Sequence, residues 1–220
     1  MIKVLLVDDQ ALLRLGFRMI LEAEPDFTVV GEAADGHAAI SMSRALQPDV
    51  VLMDVRMPGM DGIAATEAII AAGGTAKVLI LTTFDLDQYV YAGLRAGASG
   101  FLLKDAPPGD LLAAIRTVAA GDAVLAPTTT RRVVDRFVAL LPETDQADRR
   151  AAVLEVLTDR ELEVFHHIAA AKSNREIAAE MHLSEGTVKI HVGHILTKLE
   201  LRDRVHAVVL AYESRLIVPG

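Results

Sequence analysis

Apolar and polar positions alternate between two periods along the first half of the chain. Ile2–Val7 is an apolar, β-branched run ending at Asp8-Asp9, and Leu12–Leu21 repeats its apolar residues at helical spacing. The same exchange continues with a strand over Thr28–Ala33, a helix over Asp35–Leu46 and a short buried strand over Val50–Met53 that ends at Asp54. Helix follows over Gly62–Ala72, strand over Val78–Leu81, helix over Leu86–Ala96, strand over Gly100–Leu103 before Lys104, and helix over Pro108–Ala120. Near-continuous apolar strands between amphipathic helices predict a doubly wound α/β unit, a five-stranded parallel sheet covered on both faces.

The alternation stops around Gly121–Pro127. Thr128–Leu141 has a helical pattern, and Pro142-Glu143-Thr144-Asp145 reads as a polar break. From Leu157 onward no strand pattern remains. Thr158-Asp159-Arg160-Glu161 and Ser173-Asn174-Arg175-Glu176 both have capping-box spacing, so helices are expected to start at about 159 and 174. Ser184 can cap a third helix running to about Leu199, and Asp203 or a neighbour starts a fourth, to about Arg215. The expected domains are therefore 1–121, a partly helical linker over 122–152, and an all-α unit over 153–220.

Composition narrows the picture. No apolar run is long enough to span a bilayer, no signal-peptide pattern opens the chain, and cysteine is absent, which excludes disulfides and thiolate metal sites. A reducing, cytoplasmic setting fits. The net charge of −8 is uneven: residues 1–125 carry 9 Lys/Arg against 16 Asp/Glu, whereas residues 154–220 carry 8 against 10. The acidity belongs mainly to the first unit, and the helical unit is still not basic, which counts modestly against strong non-specific DNA affinity.

Asp8, Asp9, Asp54, Thr82 and Lys104 each follow or end a predicted strand. Parallel strands of a doubly wound sheet end on one edge, where ligands bind, so these side chains should converge. Alone, a strand-end Asp is usually a helix cap or turn former; five polar groups at four strand ends are not explained that way. Three carboxylates in one pocket repel one another and call for a cation, and an all-oxygen donor set without imidazole suggests Mg²⁺. A carboxylate beside such an ion can act as an acyl-phosphate nucleophile, with Lys104 and the Thr82 hydroxyl offsetting charge on the phosphoryl oxygens. The turn Met57-Pro58-Gly59-Met60-Asp61-Gly62 could aim the Arg56 carbonyl at the metal.

Leu6-Val7-Asp8-Asp9, Val51 through Gly62, Leu81-Thr82-Thr83 and Gly97 through Lys104 together resemble the receiver-domain signature. The resemblance implies the flavodoxin-like strand order 2-1-3-4-5, Asp54 as phosphoacceptor, and Asp8 and Asp9 at the metal. It also implies Thr82 and Lys104 as switch residues, Phe101 as the switch aromatic, and a sensor histidine kinase as phosphoryl donor. The stretches Leu157–Val164, Ser173–Ala178, Leu183–Val192 and Ile195–Leu199 resemble the LuxR-type helix-turn-helix of NarL/FixJ-type response regulators, which implies transcription regulation through double-stranded DNA.

The residues of the third helix support this independently. At 100° per residue Val188, Val192, Ile195 and Leu199 form one stripe, a core face, while Ile190, Gly193, His194 and Thr197 lie opposite with Lys189 at the edge. Ile190 can meet a thymine methyl, Lys189 a base edge or phosphate, and Ser184 and Thr187 a phosphate at the helix N-terminus. His191 lies nearer the core stripe, where a structural role is favoured over phosphate contact. Gly193 stands where some members of the resembled family carry a basic base-contacting residue, so the resemblance implies fewer reading side chains here and a target read weakly or through shape. Specificity then needs a homodimer on two half-sites. The apolar stripe Val205, Val208, Val209 and Tyr212 closes the domain core or forms a dimer seam, and the two are not exclusive. An aspartate-nucleophile phosphatase is the competing enzyme reading; it would want an acid two residues after Asp54, where Arg56 stands. The third reading is a protein-interaction adaptor.

Overall fold

The computed structural model describes residues 1–82, 86–121, 153, 155–170, 172–214 and 216, without the side chains of 86–88, 90, 91, 212 and 213. The expected linker, 122–152, and Thr83 lie outside the described residues. The chain divides into two compact units, Met1–Val124 and Leu125–Gly220.

The first unit runs β1 (Ile2–Val7), α1 (Ala11–Glu22), β2 (Phe27–Ala33), α2 (Gly36–Leu46), β3 (Val50–Asp54), α3 (Gly62–Ala71), β4 (Lys77–Thr82), α4 (Leu86–Arg95), β5 (Gly100–Leu103) and α5 (Pro108–Ala119). All strands pair in parallel in the order β2-β1-β3-β4-β5. Side chains alternate across the strands. Val4, Leu6, Val50, Leu52, Leu79 and Leu81 pack with Phe17 and Leu21 of α1 and with Leu111, Ile115 and Val118 of α5. On the other face Ile80 and Phe101 approach Gly93 of α4. Asp35 and Asp61 cap α2 and α3 by accepting from the backbone N–H of Ala38 and Ala64.

The second unit contains, among the described residues, α6 (Asp159–Ala169), α7 (Asn174–Met181), α8 (Glu185–Lys198) and α9 (Arg204–Glu213). Both expected capping boxes are formed, Thr158 with Glu161 and Ser173 with Glu176. α7 ends on His182 in the left-handed region at φ 56°, whose N–H returns to the Ala178 carbonyl, and Ser184 then opens α8. This tight reversal makes α7 and α8 a helix-turn-helix. Asp203 caps α9: its Oδ1 accepts from the N–H groups of Val205 and His206, at 3.0 and 3.2 Å. Phe165, Ile168, Ile177, Val188, Val192 and Ile195 share one core. No helix among the described residues is long and apolar enough to cross a membrane.

Of the apolar stripe on α9, Val205 and Val208 are 0% and 3% exposed, and Val208 packs in the core of the second unit. Val209 is half-buried, and the Tyr212 side chain lies outside the described residues.

Candidate metal centre and nucleic-acid interface

Strand register assembles the first site. Val7 pairs with Met53, so Asp8 and Asp54 follow side by side; Thr82 pairs with Leu103, and Lys104 follows, its N–H donating to the Thr82 carbonyl at 2.9 Å. Carboxylate oxygens of Asp8, Asp9 and Asp54 lie within 4.8 Å of one another. Asp8, Asp54 and Thr82 are buried and Asp9 is exposed at the mouth. The buried Lys104 ammonium bridges two of the carboxylates, 2.6 Å from Asp8 Oδ2 and 2.9 Å from Asp54 Oδ2.

One lysine against three carboxylates leaves excess negative charge in a largely buried pocket. An all-oxygen donor set with that excess fits a hard divalent ion such as Mg²⁺, and Asp8, Asp9 and Asp54 would hold it. Burial pushes the Asp54 carboxyl above its ordinary range, while the hydrogen bond and charge of Lys104 pull it back down. The ionised, nucleophilic form of Asp54 therefore depends on positive charge beside it. Arg56 is exposed, and a backbone hydrogen bond from it helps hold Asp54 ionised. Phe101 is 5% exposed, with its ring tip over Gly93.

The Asp54 end of β3 also depends on Gly62, which sequence reading placed where a turn gives way to a helix. A Cβ there would lie 1.9 Å from the Asp54 carbonyl oxygen. The Gly62 N–H donates to the Val55 carbonyl at 2.9 Å, closing the loop behind the carboxylate.

In the second unit α8 buries Val188, Val192 and Ile195 and presents Ile190, 59% exposed. Ser184 Oγ caps the helix by accepting from the Thr187 N–H at 3.0 Å and also meets Thr187 Oγ1 at 2.8 Å. Thr197 Oγ1 donates back to the Gly193 carbonyl at 2.9 Å. His191 is half-buried, its Nδ1 without a hydrogen-bond partner among the described residues. Sequence reading missed two carboxylates here. Glu185 lies 3.6 Å from Lys189, and the i,i+4 spacing was the available signal. Glu161 reaches Lys198 at 2.7 Å and lies 3.9 Å from the exposed His194 ring, a pairing that only packing of α6 on α8 creates.

A doubly wound sheet with an acidic triad and a bridging lysine at its carboxyl edge, followed by a helix-turn-helix unit, defines a phosphorylation-type receiver joined to a DNA-binding module. Family comparison agrees in both halves: the response regulator receiver domain matches residues 4–116, and the bacterial regulatory proteins of the luxR family match residues 155–211. The chain is 43% identical over 216 residues to the uncharacterized transcriptional regulatory protein YxjL of Bacillus subtilis (strain 168), covering 98% of this chain and 97% of that one. It is 40% identical over 213 residues to the nitrate/nitrite response regulator protein NarP of Escherichia coli (strain K12), covering 97% and 95%. Among solved structures, response regulator ChrA of a heme-sensing two-component system aligns over 98% of both chains, at 38% identity and a TM-score of 0.52. The chain belongs to the two-component response regulators with a LuxR-type DNA-binding domain, a family of transcriptional regulators.

Proposed function

We propose that Asp54 accepts a phosphoryl group from a sensor histidine kinase and that this controls binding of the second unit to DNA as a homodimer. The observation that carries the reading is the convergence of three carboxylates, two of them bridged by one buried lysine. Asp8, Asp9, Asp54 and the Arg56 carbonyl are assigned to Mg²⁺, which when bound supplies charge neutralisation for an incoming phosphoryl group. Asp54 Oδ attacks phosphorus and the donor imidazole leaves, giving an acyl phosphate. Lys104 then exchanges its hold on the Asp54 carboxylate for a phosphoryl oxygen, and the Thr82 hydroxyl donates to another. Movement of Thr82 frees space into which Phe101 can shift, biasing the outer face of the receiver.

On the DNA side, Ser184 and Thr187 are assigned to phosphate, Lys189, Ile190 and His194 to the major groove, and Thr197 to its edge. The receiver is assigned 1–121, the linker 122–152 and the DNA-binding domain 153–220. Acetyl phosphate with Mg²⁺ is expected to label the wild type and to spare Asp54→Asn. Footprinting of the two proteins across genomic DNA should then differ. Equal labelling of Asp54→Asn would overturn the assignment of the phosphoacceptor.

A further inference from the structure

The exposed lysines and the exposed histidine of α8 share one feature: each stands beside a carboxylate. Lys198 is 2.7 Å from Glu161, the His194 ring is 3.9 Å from the same residue, and Lys189 is 3.6 Å from Glu185. The two carboxylates differ in kind. Glu161 is buried and fixed by the Thr158 N–H and hydroxyl as well as by Lys198, so it cannot swing away. Glu185 and Lys189 have side chains 53% and 58% exposed, and both are free to rearrange.

Non-specific affinity for DNA comes from lysines and arginines that displace counterions from phosphates, roughly one ion per contact. A lysine held by a carboxylate contributes less, because the carboxylate is itself repelled by phosphate. We infer that Glu185 is a specificity-determining residue: it restrains Lys189 from phosphates on arbitrary DNA and releases it only where base contacts compensate. This rests on the assignment of α8 as the helix that enters the groove. Glu185 is a positioning residue in this role, because it acts through Lys189. It lies in the first turn of α8, where the helix dipole favours a negative charge, so the restraint does not cost the free protein its fold. The excess of Asp/Glu over Lys/Arg in residues 154–220, 10 against 8, follows the same logic. A regulator that finds its site among a large excess of other sequences gains from weak binding everywhere else.

The test uses the full-length protein, a duplex selected from a random pool by the wild type, and a duplex of random sequence. Wild type, Glu185→Gln, Lys189→Gln and the double variant are titrated at several salt concentrations. Glu185→Gln is expected to bind random DNA about tenfold more tightly at 0.1 M salt and to steepen the log–log salt slope by about 0.9. Its preference for the selected duplex should fall by a similar factor. In the Lys189→Gln background the same substitution should have little effect. An equal effect in both backgrounds would show Glu185 acting as a plain surface charge and overturn the inference, as would unchanged affinity for random DNA. Failure of the wild type to select any duplex would instead overturn the DNA-reading assignment itself.

Discussion

The Glu161 carboxylate, at the start of α6, lies 2.7 Å from the Lys198 ammonium, at the end of α8. The first turn of one helix is thereby tied to the last turn of another. The hydrogen bond from Lys198, with those from the Thr158 N–H and hydroxyl, pulls the Glu161 carboxyl down to about 2. A carboxyl depressed on folding stabilises the protein above its unfolded pKa and loses that contribution as pH falls through the folded value. The second unit should therefore lose on the order of 2 kcal/mol between about pH 4.5 and pH 2, discounted for the partial exposure of Lys198. Glu161→Gln keeps the capping-box geometry but removes the charge. It should cost about 1 kcal/mol at pH 7 and flatten that part of the pH profile, read by urea denaturation at pH 7, 4 and 3.

Gly62→Ala should disrupt the receiver. The added Cβ, fixed in place by the Gly62 backbone, meets the Asp54 backbone carbonyl oxygen at 1.9 Å, and no side-chain rotation relieves the clash. A loss of about 3 kcal/mol or more is expected from overpacking. Labelling by acetyl phosphate should fall with it even where the chain remains folded, because the strand end carrying Asp54 must move. Thermal denaturation and phosphoryl incorporation, measured on the same sample, separate the two effects.

Lys104→Met removes the cation between Asp8 and Asp54. Burial is the largest influence on Asp54 and pushes its carboxyl up; Lys104 opposes it. Without Lys104 the Asp54 carboxyl should rise further, so in Mg²⁺-free buffer its titration, followed by NMR of labelled aspartate, should move to higher pH. Added Mg²⁺ should reverse that shift in both proteins. An Asp54 titration that ignores both the substitution and the metal would contradict the charge balance drawn for the site.

Gly93→Ala probes the aromatic switch. A Cβ at this position would come within 2.6 Å of Ile80 Cδ1 and 2.7 Å of Phe101 Cζ, the far ends of side chains that can turn. The fold should survive at a cost of about 1–2 kcal/mol, with Phe101 displaced. Fluorine NMR of a labelled Phe101 should show the displaced signal before any phosphoryl donor is added, and dimer formation should shift in the same direction.

Arg204 is buried, its guanidinium donating to Asn174 Oδ1 at 2.7 Å and to the Lys172 carbonyl. Arg204→Lys cannot reproduce that fork. A loss of about 2–3 kcal/mol is expected, with α7 loosened from α9, read as faster amide exchange over 174–181.

Much of this protein could be read from one strand of text because its signals are local. A period of two against a period of 3.6 separates strands from helices. Thr158 with Glu161, and Ser173 with Glu176, announce helix starts three residues apart, and the formed capping boxes match. Asp8, Asp54, Thr82 and Lys104 could be grouped without coordinates because a parallel sheet has a single carboxyl edge, so position along each strand already predicts convergence. Tertiary packing alone decided the rest. Gly62 is indispensable only because the Asp54 carbonyl comes to rest where its side chain would be. Glu161 and Lys198 are 37 residues apart, and no period links them. Val208 lies on a stripe that suits a core or a seam equally well on paper, and only packing shows it within the core of the second unit. Such outcomes depend on distances between elements that approach in space, and local spacing carries no information about those distances.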